Sequence, residues 1–163
     1  MENDTFRNIA IWLVVALTIV IVVLTAVGLS SGPAPAVSQL TAPISSSDHI
    51  MGTSTPILTI VEYGDYQCPA CASFDPIVRK IMEEYGDKIQ LVSRNFPLEQ
   101  HKNATSSASS AESAGKQGKF FEMQEKLYSG QLDWANETNP SEIFKKYAEE
   151  LNLDINRFLA DIN

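Results

Sequence analysis

Between Ile9 and Leu29 the chain reads IAIWLVVALTIVIVVLTAVGL, an apolar run without a single charge. At about 1.5 Å rise per residue, such a run spans the roughly 30 Å hydrocarbon core of a bilayer. Its β-branched residues disfavour a helix in water, but in lipid each backbone amide must be satisfied within its own segment, and a helix does that. The pattern predicts one transmembrane helix over 9–29. Arg7 is the one basic residue before the run, and none follows it until Arg79. That bias puts residues 1–8 in the cytoplasm and the body outside it. A cleaved signal peptide is the competing reading, because Ala34-Pro35-Ala36 offers a small-residue site. The length of the run, and Glu2 and Asp4 ahead of it, favour a retained anchor.

Residues 30–55 are rich in Ser, Pro, Ala and Thr and poor in contiguous apolar positions. Such a composition predicts a flexible linker. Folding is expected over 56–163. Ile57–Tyr63, ILTIVEY, is a compact β-branched run that predicts a strand buried on both faces. From Cys68 the pattern changes: Phe74, Ile77, Val78, Ile81, Met82 and Tyr85 recur at three- and four-residue spacing, which is the period of a helix. Pro76 is expected to kink it. Ile89–Phe96 predicts a second strand, and strand, helix, strand within about 40 residues reads as a parallel unit with a right-handed crossover.

After Pro97 only helical patterns follow, over 103–115, 119–128, 141–151 and from Asp154. The Ser-rich stretch 105–113 reads equally as linker or as a small-residue helix packed closely on its neighbours. Asn139-Pro140-Ser141-Glu142 resembles a helix start, with Asn139 as N-cap.

The 163 residues carry 12 Lys and Arg against 20 Asp and Glu, a net charge of -8. No basic block stands out, which excludes nucleic acid as an expected partner. There are two cysteines, Cys68 and Cys71, so a scaffold held by several disulfides is excluded.

The chemistry of the chain is concentrated in those two residues. They lie where a strand has ended and a helix begins, with Pro69 suited to the first helical position. Cys68 then falls at the N-cap, facing unpaired amides and the positive end of the helix dipole, a setting that favours a thiolate. Cys71, one turn in, is expected to be shielded. That asymmetry suits thiol–disulfide exchange, in which one sulfur meets the substrate and the other resolves the mixed disulfide. Zinc or copper sites need further ligands. Outside the pair only His49 and His101 remain as His or Cys, so no metal and no cofactor is expected. Asp65 and Gln67 flank the pair on a loop, and Asp there suits a turn former.

The run VEYGDYQCPACASFDPIVRKI, the strand ending in RNFPL, the HKNA segment and GKQGKFFEMQEKLY together resemble the DsbA-like thioredoxin-fold proteins of bacterial envelopes. The match covers 57–163. It implies an α/β, thioredoxin-like fold with an all-helical insertion over about 98–163. It also implies Cys68 as nucleophile, Cys71 as buried partner and Glu62 as an acid relaying protons to and from the thiols. The Pro69-Ala70 dipeptide lacks the His found there in strongly oxidising members, so the direction of exchange is not carried over. Disulfide formation in exported proteins, with a membrane quinone-linked reoxidant, is the expected role. Isomerase or reductase activity, a client-binding module and an inactive fragment are the alternatives. The family continues past its insertion into a cis-proline loop, two strands and a helix. No such pattern precedes Asn163, so the C-terminal part of the fold is expected to be absent from this sequence.

Overall fold

The computed structural model describes residues 2–30 and 42–162. Two compact units are present, Met1–Pro43 and Ile44–Asn163.

The first unit is a helix, α1 (Glu2–Ser30). Its described side chains, Asn8 and those of 11–25, are all exposed. Among the described residues no helix is long and apolar enough to cross a membrane. The ends of the predicted span, at 9–10 and 26–29, have side chains outside that description.

The second unit is built on a three-stranded sheet in the order β1-β3-β2. It comprises β1 (His49–Gly52), β2 (Leu58–Gly64), α2 (Pro69–Tyr85) and β3 (Ile89–Asn95). Helices α3 (Ala104–Gly115), α4 (Phe120–Ser129), α5 (Gln131–Trp134), α6 (Ser141–Glu150) and α7 (Ile155–Ile162) follow. The β2-α2-β3 unit is parallel as expected, with Glu62 opposite Ser93 and Ile60 opposite Leu91.

Two expectations are corrected. The predicted linker 30–55 contains β1, which pairs antiparallel with β3 from His49↔Ser93 to Gly52↔Gln90. Residues 31–41 of that stretch lie outside the described residues. A central strand must satisfy backbone groups on both edges, and β1 supplies the second edge of β3. Side chains fix it there. Arg94 donates from Nε to Asp48 Oδ1 at 2.6 Å and from Nη2 to Oδ2 at 2.8 Å. This holds the Asp48 carboxyl down at about 2. His49 stacks on Phe120 with ring centroids 3.5 Å apart, and its Nε2 lies 2.9 Å from Glu112 Oε2 on α3.

The second correction concerns which strand is central. β2, expected to be buried on both faces, is an edge strand, with Leu58 58% exposed and Ile57 before it 82% exposed. β3 takes the inner place, and Ile89, Leu91, Val92 and Ser93 are buried. Ile89 and Leu91 form one core with Met82, against which Met51, Ile60, Val78 and Phe121 pack.

The larger core belongs to the helices, where Met123, Leu127, Trp134, Phe144 and Phe158 are fully buried. The Ser-rich stretch is helix α3, and Ser107, Ser110, Ala111, Ser113 and Ala114 form its buried face. Small side chains permit that close approach, and Ser113 Oγ donates to the Phe158 carbonyl of α7 at 2.9 Å. At the start of α6 the N-cap is Pro140, one residue later than expected. Asn139 still contributes there, because its Oδ1 accepts the Ser141 amide at 3.1 Å.

Candidate active site

β2 ends at Gly64, where the chain runs close against Tyr128 and a Cβ would sit 2.5 Å from the Tyr128 hydroxyl. The loop 65–68 then turns the chain into α2. Asp65, 3% exposed, shapes it: Oδ1 accepts the Gln67 amide at 2.7 Å, and the Asp65 carbonyl accepts the Cys68 amide at 3.0 Å. Asp65 Oδ2 accepts the Leu98 amide at 2.9 Å and faces His101 Nδ1 at 2.7 Å. The expected turn role of Asp65 is therefore met. His101 is its partner from the segment after β3.

Cys68 occupies the N-cap of α2, with φ -75° and ψ 120°, and Pro69 opens the helix. Its sulfur makes no cap hydrogen bond, so the amides of Ala70 and Cys71 do not bind it directly. Pro69 and Ala70 are exposed, whereas both cysteines are partly exposed free thiols. Cys71 packs against the helical core. Burial pushes its thiol up, the Asp65 backbone opposes that, and the neighbouring Cys68 adds to it. The two sulfurs are thus adjacent and differ in surroundings.

Glu62 lies within β2, half-buried, and accepts a 3.4 Å hydrogen bond from Gln124 Nε2 of α4. Gln124 Oε1 accepts in turn from Ser93 Oγ at 3.3 Å. Burial raises the Glu62 carboxyl, the charge of Asp75 raises it further, and Gln124 and Arg79 offset part of this. Asp75 was not singled out in the sequence. It is 7% exposed on α2 and pushed up by burial against the opposing pull of Arg79, whose Nε donates to its Oδ2 at 2.7 Å. Its signal was available, since Cys71, Asp75, Val78 and Met82 recur at helical spacing on one face of α2. The Tyr66 and Tyr128 rings meet at a tilt of 52° with centroids 4.9 Å apart. Burial pushes both phenols up, and the charges of Glu62 and Asp75 act on both, that of Cys71 on Tyr128. Among the described residues no three His, Cys, Asp or Glu side chains come together as a metal site would require.

The raised Glu62 carboxyl gives a pH dependence whose sign follows from linkage. A carboxyl with a folded pKa above its unfolded value, about 4.3, holds its proton more tightly in the folded state. The resulting stability is complete below the unfolded value and is lost as pH rises through the folded one. Glu62→Gln is therefore expected to gain stability relative to the wild type between about pH 3 and pH 7. Urea unfolding at the two pH values checks this, and a gap that moves the other way would show the carboxylate to be well satisfied.

The family model described as "Thioredoxin" matches residues 45–162. Among curated proteins, the Na(+)/H(+) antiporter NhaA 1 of Mycobacterium sp. (strain KMS) is 36% identical over 136 residues, covering 81% of this chain and 21% of that protein. The chain thus spans about a fifth of the length of that relative. Among solved structures, Wolbachia pipientis alpha-DsbA1 superposes with a TM-score of 0.64 at 26% identity, over 76% of this chain and 62% of that one. Oxidised BdbD from Bacillus subtilis gives 0.55 at 26% identity, over 69% of each chain. With the family model matched over nearly all of the folded unit, the chain belongs to the thioredoxin family.

Proposed function

We propose that the chain is a membrane-tethered thiol–disulfide oxidoreductase that forms disulfides in exported proteins. One observation carries the reading: two adjacent thiols at the head of α2, one of them packed against the core. In the oxidised protein a client thiolate attacks the Cys68 sulfur and breaks the Cys68–Cys71 bond. The electron pair leaves on Cys71, which takes up a proton relayed by Glu62. A second client thiolate then attacks the mixed disulfide at the client sulfur and expels Cys68 as thiolate. The client loses two electrons and two protons, and the protein is left as a dithiol. A quinone-linked membrane partner restores the disulfide.

The likeness to DsbA1 and BdbD supports exchange chemistry in general. Tethering is supported by α1, whose side chains from Ile11 to Leu24 are aliphatic, aromatic or Thr and exposed all round. The Thr18 hydroxyl in this stretch and that of Thr25 just after it donate back to the Val15 and Ile21 carbonyls, so neither meets lipid as an unpaired donor. The topology proposed is a single pass through the bacterial cytoplasmic membrane with the N-terminus inside. The same two sulfurs run the reverse reaction, and Ala70 offers no charge to set the direction.

The test mixes the oxidised full-length chain, in detergent, with a reduced unfolded model protein and follows free thiols. Loss of two client thiols for each protein disulfide is expected. If the reduced chain instead opens client disulfides while the oxidised chain leaves client thiols untouched, the direction is that of a reductase. No exchange either way overturns the reading.

A further inference from the structure

Gln131, the first residue of α5, is 6% exposed although its side chain is polar. Its Nε2 donates to the Tyr66 carbonyl at 2.6 Å and to the Cys68 carbonyl at 3.0 Å. The Cys68 carbonyl also accepts the first hydrogen bond of α2, from the Ala72 amide at 3.1 Å. With its own amide bound to the Asp65 carbonyl, Cys68 has both backbone polar groups fixed. The next residue upstream is held from the same quarter. Gln67 Nε2 donates to the Ala135 carbonyl at 2.7 Å, and its Oε1 accepts the Asn103 amide at 2.6 Å. Asn103 Nδ2 donates to the Trp134 carbonyl at 3.3 Å, which ties this bracket to the end of α5, and to the Glu137 carbonyl beyond it at 2.9 Å. α5 is itself immobilised by Trp134, fully buried and bonded from Nε1 to the Leu127 carbonyl at 2.9 Å.

We propose that Gln131 is a positioning residue for Cys68, through which the helical region sets the reactivity of the thiol. The inference rests on the reading of Cys68 as the nucleophile. The Tyr66 and Cys68 carbonyl oxygens belong to the turn that carries the sulfur, and their partial negative charge opposes a negative charge there. An amide donor shared between them draws that electron density away and fixes the peptide planes of the turn. The donor reaches Cys68 from 63 residues away in sequence, so it ties the turn to the helical region.

Gln131→Met keeps the length of the side chain and removes the donor. Iodoacetamide alkylation of Cys68 at pH 6 is expected to slow about fivefold or more, with the rate profile moving to higher pH. The equilibrium with glutathione is expected to move about fivefold toward the protein disulfide, because the dithiol form loses stabilisation. A purely structural role would lower the melting temperature and leave both readouts in place, and that result overturns the inference. If the variant does not melt cooperatively, side-chain amide NMR of the wild-type chain decides. Gln131 resonances that titrate with the Cys68 alkylation profile support the proposal, and resonances that stay still overturn it. A wild-type chain that exchanges no thiols with glutathione removes the functional reading itself, whatever Gln131 does.

Discussion

Cys68→Ser is expected to reduce thiol oxidation to the uncatalysed background, a loss of about a thousandfold or more. A serine hydroxyl is not ionised near neutral pH and cannot form a disulfide, so the first bond of the exchange has no counterpart. The matching change one turn along should behave differently. In Cys71→Ser the Cys68 thiol still attacks a disulfide-bonded client, but nothing resolves the product. A mixed disulfide should therefore accumulate, visible as a reductant-sensitive band on a non-reducing gel. The difference follows from placement: Cys68 stands at the N-cap beside exposed Pro69 and Ala70, whereas Cys71 packs against the helical core with its thiol pushed up by burial. If Cys71→Ser trapped no client while Cys68→Ser trapped one, the two roles would be exchanged. Retained oxidation in Cys68→Ser would remove the chemistry from this site altogether.

Trp134→Ala is expected to cost about 3–5 kcal/mol, the usual penalty for deleting a large buried aromatic side chain. Trp134 is fully buried, meets Phe144 edge to face at 5.2 Å and donates to the Leu127 carbonyl at 2.9 Å. Truncation leaves a cavity and removes that hydrogen bond. Against a total stability of about 5–15 kcal/mol this is a large fraction. With a urea slope of about 1–3 kcal/mol per molar, the midpoint should fall by roughly 2 M. Leu132 on the same four-residue helix is the control, because it is 90% exposed and its replacement by Ala should stay within about 0.5 kcal/mol. Equal losses in the two variants would mean that α5 is stabilised by its own helicity and not by the anchor of Trp134. The position has a second consequence. α5 carries Gln131, so loosening it should also change the alkylation profile of Cys68, while Leu132→Ala leaves that profile alone.

The chemistry was legible in the sequence because it is local. Cys68 and Cys71 announce themselves by spacing, by the β-branched strand ahead of them and by Pro69 at the first helical turn. Helices α4, α6 and α7 were legible for the same reason, since a 3.6-residue period records which face of a segment is buried, whereas the Ser-rich stretch of α3 left linker and helix open and the four residues of α5 gave no signal. Periodicity records burial without naming the partner. The four residues of β1 are too few for a period to show, and they become a strand only because β3 offers a second edge. Ile57–Tyr63 and Ile89–Phe96 both read as strands, and it is the pairing order that left the first at the edge and put the second in the centre.

The polar side chains around the thiols follow the same division. Asp75 could have been found from helical spacing to Cys71, but Gln124 beneath Glu62 and Gln131 behind Cys68 lie 62 and 63 residues from their partners. Sequence alone marked the pair of thiols proposed to react and most of the segments that coil, because those depend on neighbours within a turn or two of chain. Tertiary structure alone decided which strand is inside and what holds the reactive turn in place. Those outcomes depend on satisfying buried backbone and amide groups, and a chain can do that only with partners that folding brings from far along its length.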